Sequence, residues 1–218
     1  EHMSYLLRGG SPREAELSAA AGKGTMTGAD ATTAMIDSFD EATALATYRR
    51  LAQRGTAVTP TLNGSRILAY LDRDDHAKDE GLAYIGPKLR KTYDWRIERA
   101  AKADAAAIVA RHKQIEDVAA ILPMLAEAGV PIMAGTDAGF LNSFNYPGFG
   151  LHDEIELFVQ KGLTPAQALA SATRAGPAWF GRLDRYGAIK PAMAADLVLL
   201  RDNPLEDIAA TRAIDAVV

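Results

Sequence analysis

The chain predicts an α/β fold with a parallel sheet, on three observations. Thr56-Ala57-Val58-Thr59-Pro60-Thr61-Leu62 and Val130-Pro131-Ile132-Met133-Ala134 are short, β-branched or apolar, and end at turn residues, as buried strands do. The span 88–128 between them is dense in Ala, Lys, Arg, Glu and Gln, all good helix formers. Strands alternating with helical stretches build βαβ units. The second run stops in Gly135-Thr136-Asp137-Ala138-Gly139, a glycine-bracketed turn presenting one carboxylate. Folds of this class place their chemistry at the carboxyl ends of strands. Asp is equally a turn-capping residue, so the local pattern leaves Asp137 open between the two roles.

With 218 residues, 48% hydrophobic and 24% charged, the chain can bury a sizeable core. A net charge of −4 with no basic stripe argues against nucleic acid as a partner. No apolar run has the length to span a bilayer, so no membrane role is expected. Cysteine is absent, which excludes thiolate ligands and thiol nucleophiles. A metal would have to be held by Asp, Glu or the histidines His2, His76, His112 and His152. Both ends read as cut, because the chain starts on Glu1 and finishes in a strand-like Ala213-Ile214-Asp215-Ala216-Val217-Val218. Compartment therefore stays open.

In order, Arg8 to Pro12 reads as a turn, with a short helix beginning at Pro12 and loop through Gly22 to Asp30. A helix begins at Asp37 to Asp40 and carries Ala42, Leu45, Ala46, Tyr48, Leu51 and Ala52 to a stop at Arg54-Gly55. Pro60 belongs at the end of the first strand. Ile67 to Tyr84 is partly helical. Two helices follow, with a bend near Ala103-Asp104 and a kink or restart at Pro123. The second helix buries Ile108, Ile115, Val118, Ala119, Ile121, Leu122 and Leu125. After Asp137, Phe140, Phe144, Tyr146 and Phe149 stud a loop that either walls a pocket or packs on itself. Leu151 to Val159 is a helix ended by Gly162, and Thr164-Pro165 caps the next. Ala195 to Leu200 reads as a strand after the turn-rich Gly187 to Pro191.

Several of these stretches, in this order, resemble the carboxyl-terminal part of amidohydrolase-superfamily enzymes, especially the imidazolonepropionase and Xaa-Pro dipeptidase-like branch. They are Gly135-Thr136-Asp137, the run Leu151 to Leu157, Gly162 to Leu169 with Ala172-Thr173, and Gly187-Ala188-Ile189 with Ala194 to Leu199. Thr56 to Leu62 is similar to the family's barrel strand seven, and Glu1-His2 to the end of strand six. The resemblance implies strands six to eight of a (β/α)8 TIM barrel over 1–186, running into part of a small β-sandwich over 187–218. It implies a small-molecule substrate, hydrolysis of a C–N bond in an amide, cyclic amide or dipeptide, and one or two divalent ions, zinc first. Asp137 would be metal ligand and general base, and His2 a metal ligand. His152 opens the helix facing the Asp137 loop and is a candidate substrate contact. The family's other ligands, including its His-x-His pair, have no counterpart here. Two alternatives stay open: a non-catalytic fragment or interaction module, and a deaminase of the same superfamily. His76 and His112 are expected to be solvated, and Asp153, Glu154 and Glu156 to favour their own helix start by charge. Half a barrel would leave edges and apolar faces uncovered, so aggregation or partial folding is expected.

Overall fold

The computed structural model describes residues 2–139 and 142–218. Of the sequence expectations, those for Glu1 and Phe140 lie outside the described residues.

Two extended stretches lie side by side, and His2 is bonded to the outer edge of one of them. Val58 bridges Ile132 in parallel: its amide donates to Pro131 O and its carbonyl accepts from Met133 N, both at 2.9 Å. On the other edge of the same stretch, Thr59 O accepts from His2 N at 3.3 Å. The segment 56–61 therefore sits between the His2 end and 130–137. The two predicted strands pair through this single bridge rather than a long ladder. A parallel ladder takes its next donor two residues on, at Pro60, and proline has no N–H. Gly135 allows the close approach, since a Cβ there would lie 2.6 Å from Thr59 Cγ2.

Helices pack around these segments. α1 (Ser4–Arg8), α2 (Glu14–Gly22) and α3 (Gly28–Asp37) precede α4 (Glu41–Gln53). The amino-terminal stretch is thus far more helical than its Gly, Ser and Thr content predicts. Thr27, read as loop, caps α3 by accepting from Asp30 N. Asp40 caps α4, whose buried stripe runs through Ala44 and Tyr48 while Ala42 and Ala46 are exposed. α5 (Leu62–Ala69) follows the first strand directly. A 3₁₀ turn (Glu80–Tyr84) and α6 (Pro87–Ala100) lead to α7 (Ala105–Ala120), capped by Asp104 at the expected bend. The restart at Pro123 appears as α8 (Leu122–Glu127). Then come α9 (Phe149–Gln160), α10 (Pro165–Thr173) and α11 (Ala175–Trp179). Thr164 and Gln167 form a reciprocal capping box on α10.

The main core joins Tyr48, Val58, Leu62, Leu122, Leu125, Val130 and Phe158, of which Leu122, Leu125 and Phe158 are fully buried. In the predicted apolar face of α7 and α8, Ile115 to Leu125 is buried as expected and Ile108 only half so. A second cluster, Ile67, Tyr93, Phe144 and Tyr146, clamps the excursion between α5 and α7 onto the loop after Asp137. Two of the four loop aromatics therefore pack as core, while Phe149 reaches the surface.

The carboxyl end is a two-stranded antiparallel ribbon, β1 (Val198–Leu200) with β2 (Ile214–Val217), joined through the 3₁₀ turn Ile208–Arg212. β1 is shorter than the predicted strand from Ala195. Val198 and Val217 face each other across the ribbon and are 56% and 71% exposed. Replacing that pair by Val198→Lys and Val217→Glu keeps a favourable cross-strand contact while removing apolar surface. Sedimentation velocity at rising concentration is expected to show less association of the double variant. Unchanged association would remove the ribbon as the sticky surface.

Candidate active site

Thr61 and Asp137 stand at the carboxyl ends of the two neighbouring extended segments, His2 is bonded beside them to Thr59 O, and all three are left-handed. Their φ values are 61°, 50° and 51°. Each such non-glycine residue costs roughly 1–3 kcal/mol, and such strain gathers at working sites. Specific bonds hold each one. His2 N reaches Thr59 O. Asp137 receives the Asn142 side-chain amide on both Oδ2 (2.8 Å) and its own carbonyl (2.6 Å). The next amide, Ala138 N, donates to Thr136 Oγ1 at 3.2 Å.

The structure brings His2 and Asp137 together, with Nε2 3.7 Å from Oδ2 and both side chains nearly half exposed. That gap is too long for a direct hydrogen bond. It suits two donors sharing one ion, because ligands at about 2.1 Å in tetrahedral array stand about 3.4 Å apart. Among the described residues no third His, Asp or Glu joins them. The pair therefore fits part of a metal's donor set, since a catalytic zinc takes three protein ligands.

His152 lies elsewhere in its contacts. Its Nδ1 is 3.0 Å from Thr211 Oγ1, in the turn before β2. Burial first, then the charge of Arg212, hold its pKa below the usual histidine value, so the ring is neutral near pH 7. Arg212 is gripped by Glu156 and Asp153, whose carboxylates pair with this cation rather than only with their helix start.

Glu154 departs furthest from expectation. It is fully buried, and its carboxylate crosses to α5, accepting Leu62 N at 2.9 Å and Asn63 N at 2.6 Å. Its charge serves the start of another helix. The signal for this was its place in an apolar stretch, one turn before Phe158 on the buried face of α9. Asn145, also fully buried, donates to Thr136 O and accepts from Asn63 Nδ2 at 3.4 Å. It is wedged between two glycines: a Cβ on Gly64 would meet it at 2.8 Å and one on Gly150 at 2.4 Å.

His76 and His112 are less solvated than predicted. His76 has a side chain only 16% exposed, bonds Asp79 Oδ2 at 2.8 Å and stacks on Phe144. Tyr146 OH donates to the same Asp79 oxygen at 3.0 Å. His112 meets Asp72 at 2.9 Å and lies against Tyr70. The stacking of His76 on Phe144 and the pairing of His112 with Asp72 join sequence-distant residues, which a local reading does not see.

Comparison with known proteins identifies the family. The amidohydrolase family pattern matches residues 10–218, and the chain belongs to the amidohydrolase family. His2 precedes the matched stretch, whereas Asp137 and His152 lie within it. The ochratoxinase of Aspergillus niger is 34% identical over 84 residues, which are 38% of this chain and 16% of that protein. Among solved structures, a Xaa-Pro dipeptidase with bound methionine superposes with a TM-score of 0.54 at 20% identity. That match covers 80% of this chain and 35% of the dipeptidase. A putative prolidase from Bifidobacterium longum gives 0.50 at 24% identity, over 75% and 33% of the two chains. The chain thus spans about a third of the solved structures it matches, and the shared fold is a partial barrel of the α/β type.

Glu154 yields a pH prediction. Burial pushes its carboxyl up to about 7 from 4.5, and the amides of Asn63 and Leu62 draw it partly back. The folded state therefore holds this proton more tightly than the unfolded chain does. Its contribution to stability is complete below about pH 4.5 and is lost as pH rises through about 7. The difference is about 3 kcal/mol at most. Urea unfolding across that range should show a shallower loss of stability with pH in Glu154→Gln; parallel curves would contradict the assignment. Gly150→Ala forces Asn145 aside and is expected to cost about 1–3 kcal/mol in the same measurement.

Proposed function

We propose that this chain is the carboxyl-terminal part of a metal-dependent hydrolase that cleaves a C–N bond in an amide, cyclic amide or dipeptide. In this reading residues 1–186 carry strands six to eight of a (β/α)8 barrel, and 187–218 belong to a β-sandwich. The observation that carries it is the facing pair His2 Nε2 and Asp137 Oδ2, two left-handed residues brought together across the end of segment 56–61, within an amidohydrolase chain. The relatives are named as a dipeptidase, a prolidase and ochratoxinase, which favours hydrolysis over deamination.

His2 and Asp137 would hold a divalent ion, zinc first, together with ligands from the rest of the barrel. When bound, such an ion supplies Lewis acidity to water and to the scissile carbonyl. Asp137 takes the proton from the attacking water and returns it to the leaving nitrogen. Asn142, bonded to Oδ2, keeps that carboxylate oriented through both transfers. A cavity of about 500 Å³ opens beside His2 between α5, α6 and α7. Its described lining has an apolar floor of Leu68, Ile115 and Val118 with Arg99 at its edge, while Arg111 there is already paired with Asp72 at 3.2 Å. That floor suits the apolar body of a small substrate. His152, neutral and bonded to Thr211 through Nδ1, keeps Nε2 for a substrate contact.

The reading is tested by expressing the chain with the coding sequence upstream of it, assaying N-acyl amino acids and dipeptides, and measuring bound metal. Asp137→Asn is expected to lower kcat by at least about 10²-fold with the fold intact by circular dichroism. An upstream sequence without a His-x-His pair, or a variant with unchanged kcat, would overturn it.

A further inference from the structure

Thr61 occupies the cap position of α5 yet does not cap it. A threonine there ordinarily accepts an amide from its own first turn. Here the hydroxyl turns the other way. Oγ1 donates to Pro60 O at 2.8 Å and lies 2.7 Å from His2 Nδ1. Pro60 is buried, and the Thr61 hydroxyl is the donor its carbonyl receives among the described residues. Diverting that proton would leave a buried carbonyl unpaired. With its one hydrogen committed, Oγ1 can only accept from the ring. The neutral His2 ring then carries its proton on Nδ1 and its lone pair on Nε2, the nitrogen 3.7 Å from Asp137. The capping that Thr61 leaves undone is supplied by Glu154, which takes the amides of Leu62 and Asn63.

We propose that Thr61 is a positioning residue that fixes His2 as the Nδ1–H tautomer, with Glu154 holding the left-handed turn from which Thr61 does so. This rests on the reading of His2 as a ligand, because an imidazole binds a metal through its unprotonated nitrogen, oriented by a hydrogen bond on the other.

Glycine separates this role from a merely structural one. Thr61→Gly removes the hydroxyl, relieving the strain of φ 50° while leaving the Pro60 carbonyl unpaired, so the two effects oppose each other and circular dichroism verifies that the fold is kept. Thr61→Ser keeps the hydroxyl. The 218-residue chain with ring-¹⁵N histidine is compared as wild type and both variants by long-range ¹⁵N–¹H correlation, His2 being assigned by its loss in His2→Gln. The same resonances are then followed while Zn²⁺ is added. Wild type and Thr61→Ser are expected to show the Nδ1–H pattern. Thr61→Gly, with the native circular dichroism spectrum retained, is expected to populate Nε2–H and to respond to zinc about tenfold more weakly. A Thr61→Gly ring that keeps the wild-type tautomer overturns the proposal. A tautomer that switches on loss of the hydroxyl, with zinc leaving His2 untouched in every form, upholds the positioning role and instead overturns the metal reading. Glu154→Gln serves as a second probe, expected to show a mixed tautomer; a pure Nδ1–H form there removes Glu154 from the assignment.

Discussion

The carboxylate of Glu154 against the first amides of α5 is the contact on which the site geometry depends. It joins α9, which follows the Asp137 loop, to the end of the neighbouring strand. Burying a carboxylate is costly without partners, and here the partners are a helix's otherwise unsatisfied donors at the positive end of its dipole. The bond spans 92 residues, so it forms only once the chain has closed on itself. Its effect is to free the Thr61 hydroxyl from capping and make it available to His2.

Around that contact the backbone is strained on purpose-built supports. Three non-glycine residues with positive φ meet at one rim, each restrained by bonds from a different element. The parallel pairing beneath them is a single bridge, cut short by Pro60, so little ladder is available to hold the strand ends. Side-chain bonds take over that task. Asn145 ties the Asp137 loop to α5, and the glycines at 64 and 150 leave it room.

The excursion between α5 and α7 supports the same loop from outside. Phe144 and Tyr146 are buried against Tyr93 and Ile67, and Asp79 binds both Tyr146 and His76. A run such as Asp72-Arg73-Asp74-Asp75-His76 looks solvated in one dimension. In three dimensions His76 is stacked on Phe144, 68 residues away, which no local charge pattern reports.

What the sequence determined by itself was whatever depends on near neighbours. The helix start at Asp37 to Asp40, the bend near Ala103-Asp104, the cap at Thr164, the restart at Pro123 and the two strand-like runs that pair all depend on local residues, and the structure has each there. The ordered stretches from Asp137 onward also carried the family resemblance, and the family match bears it out. The amino-terminal helices were under-read because their helix content exceeds the residues' own preference, tertiary packing of Leu7, Leu17 and Met35 making up the difference. Only the tertiary structure decided that His2 faces Asp137, that Thr61 faces His2, and that Glu154 caps a helix other than its own. Each of those joins residues 59 to 135 positions apart, and such pairings follow from how the elements pack rather than from any spacing along the chain.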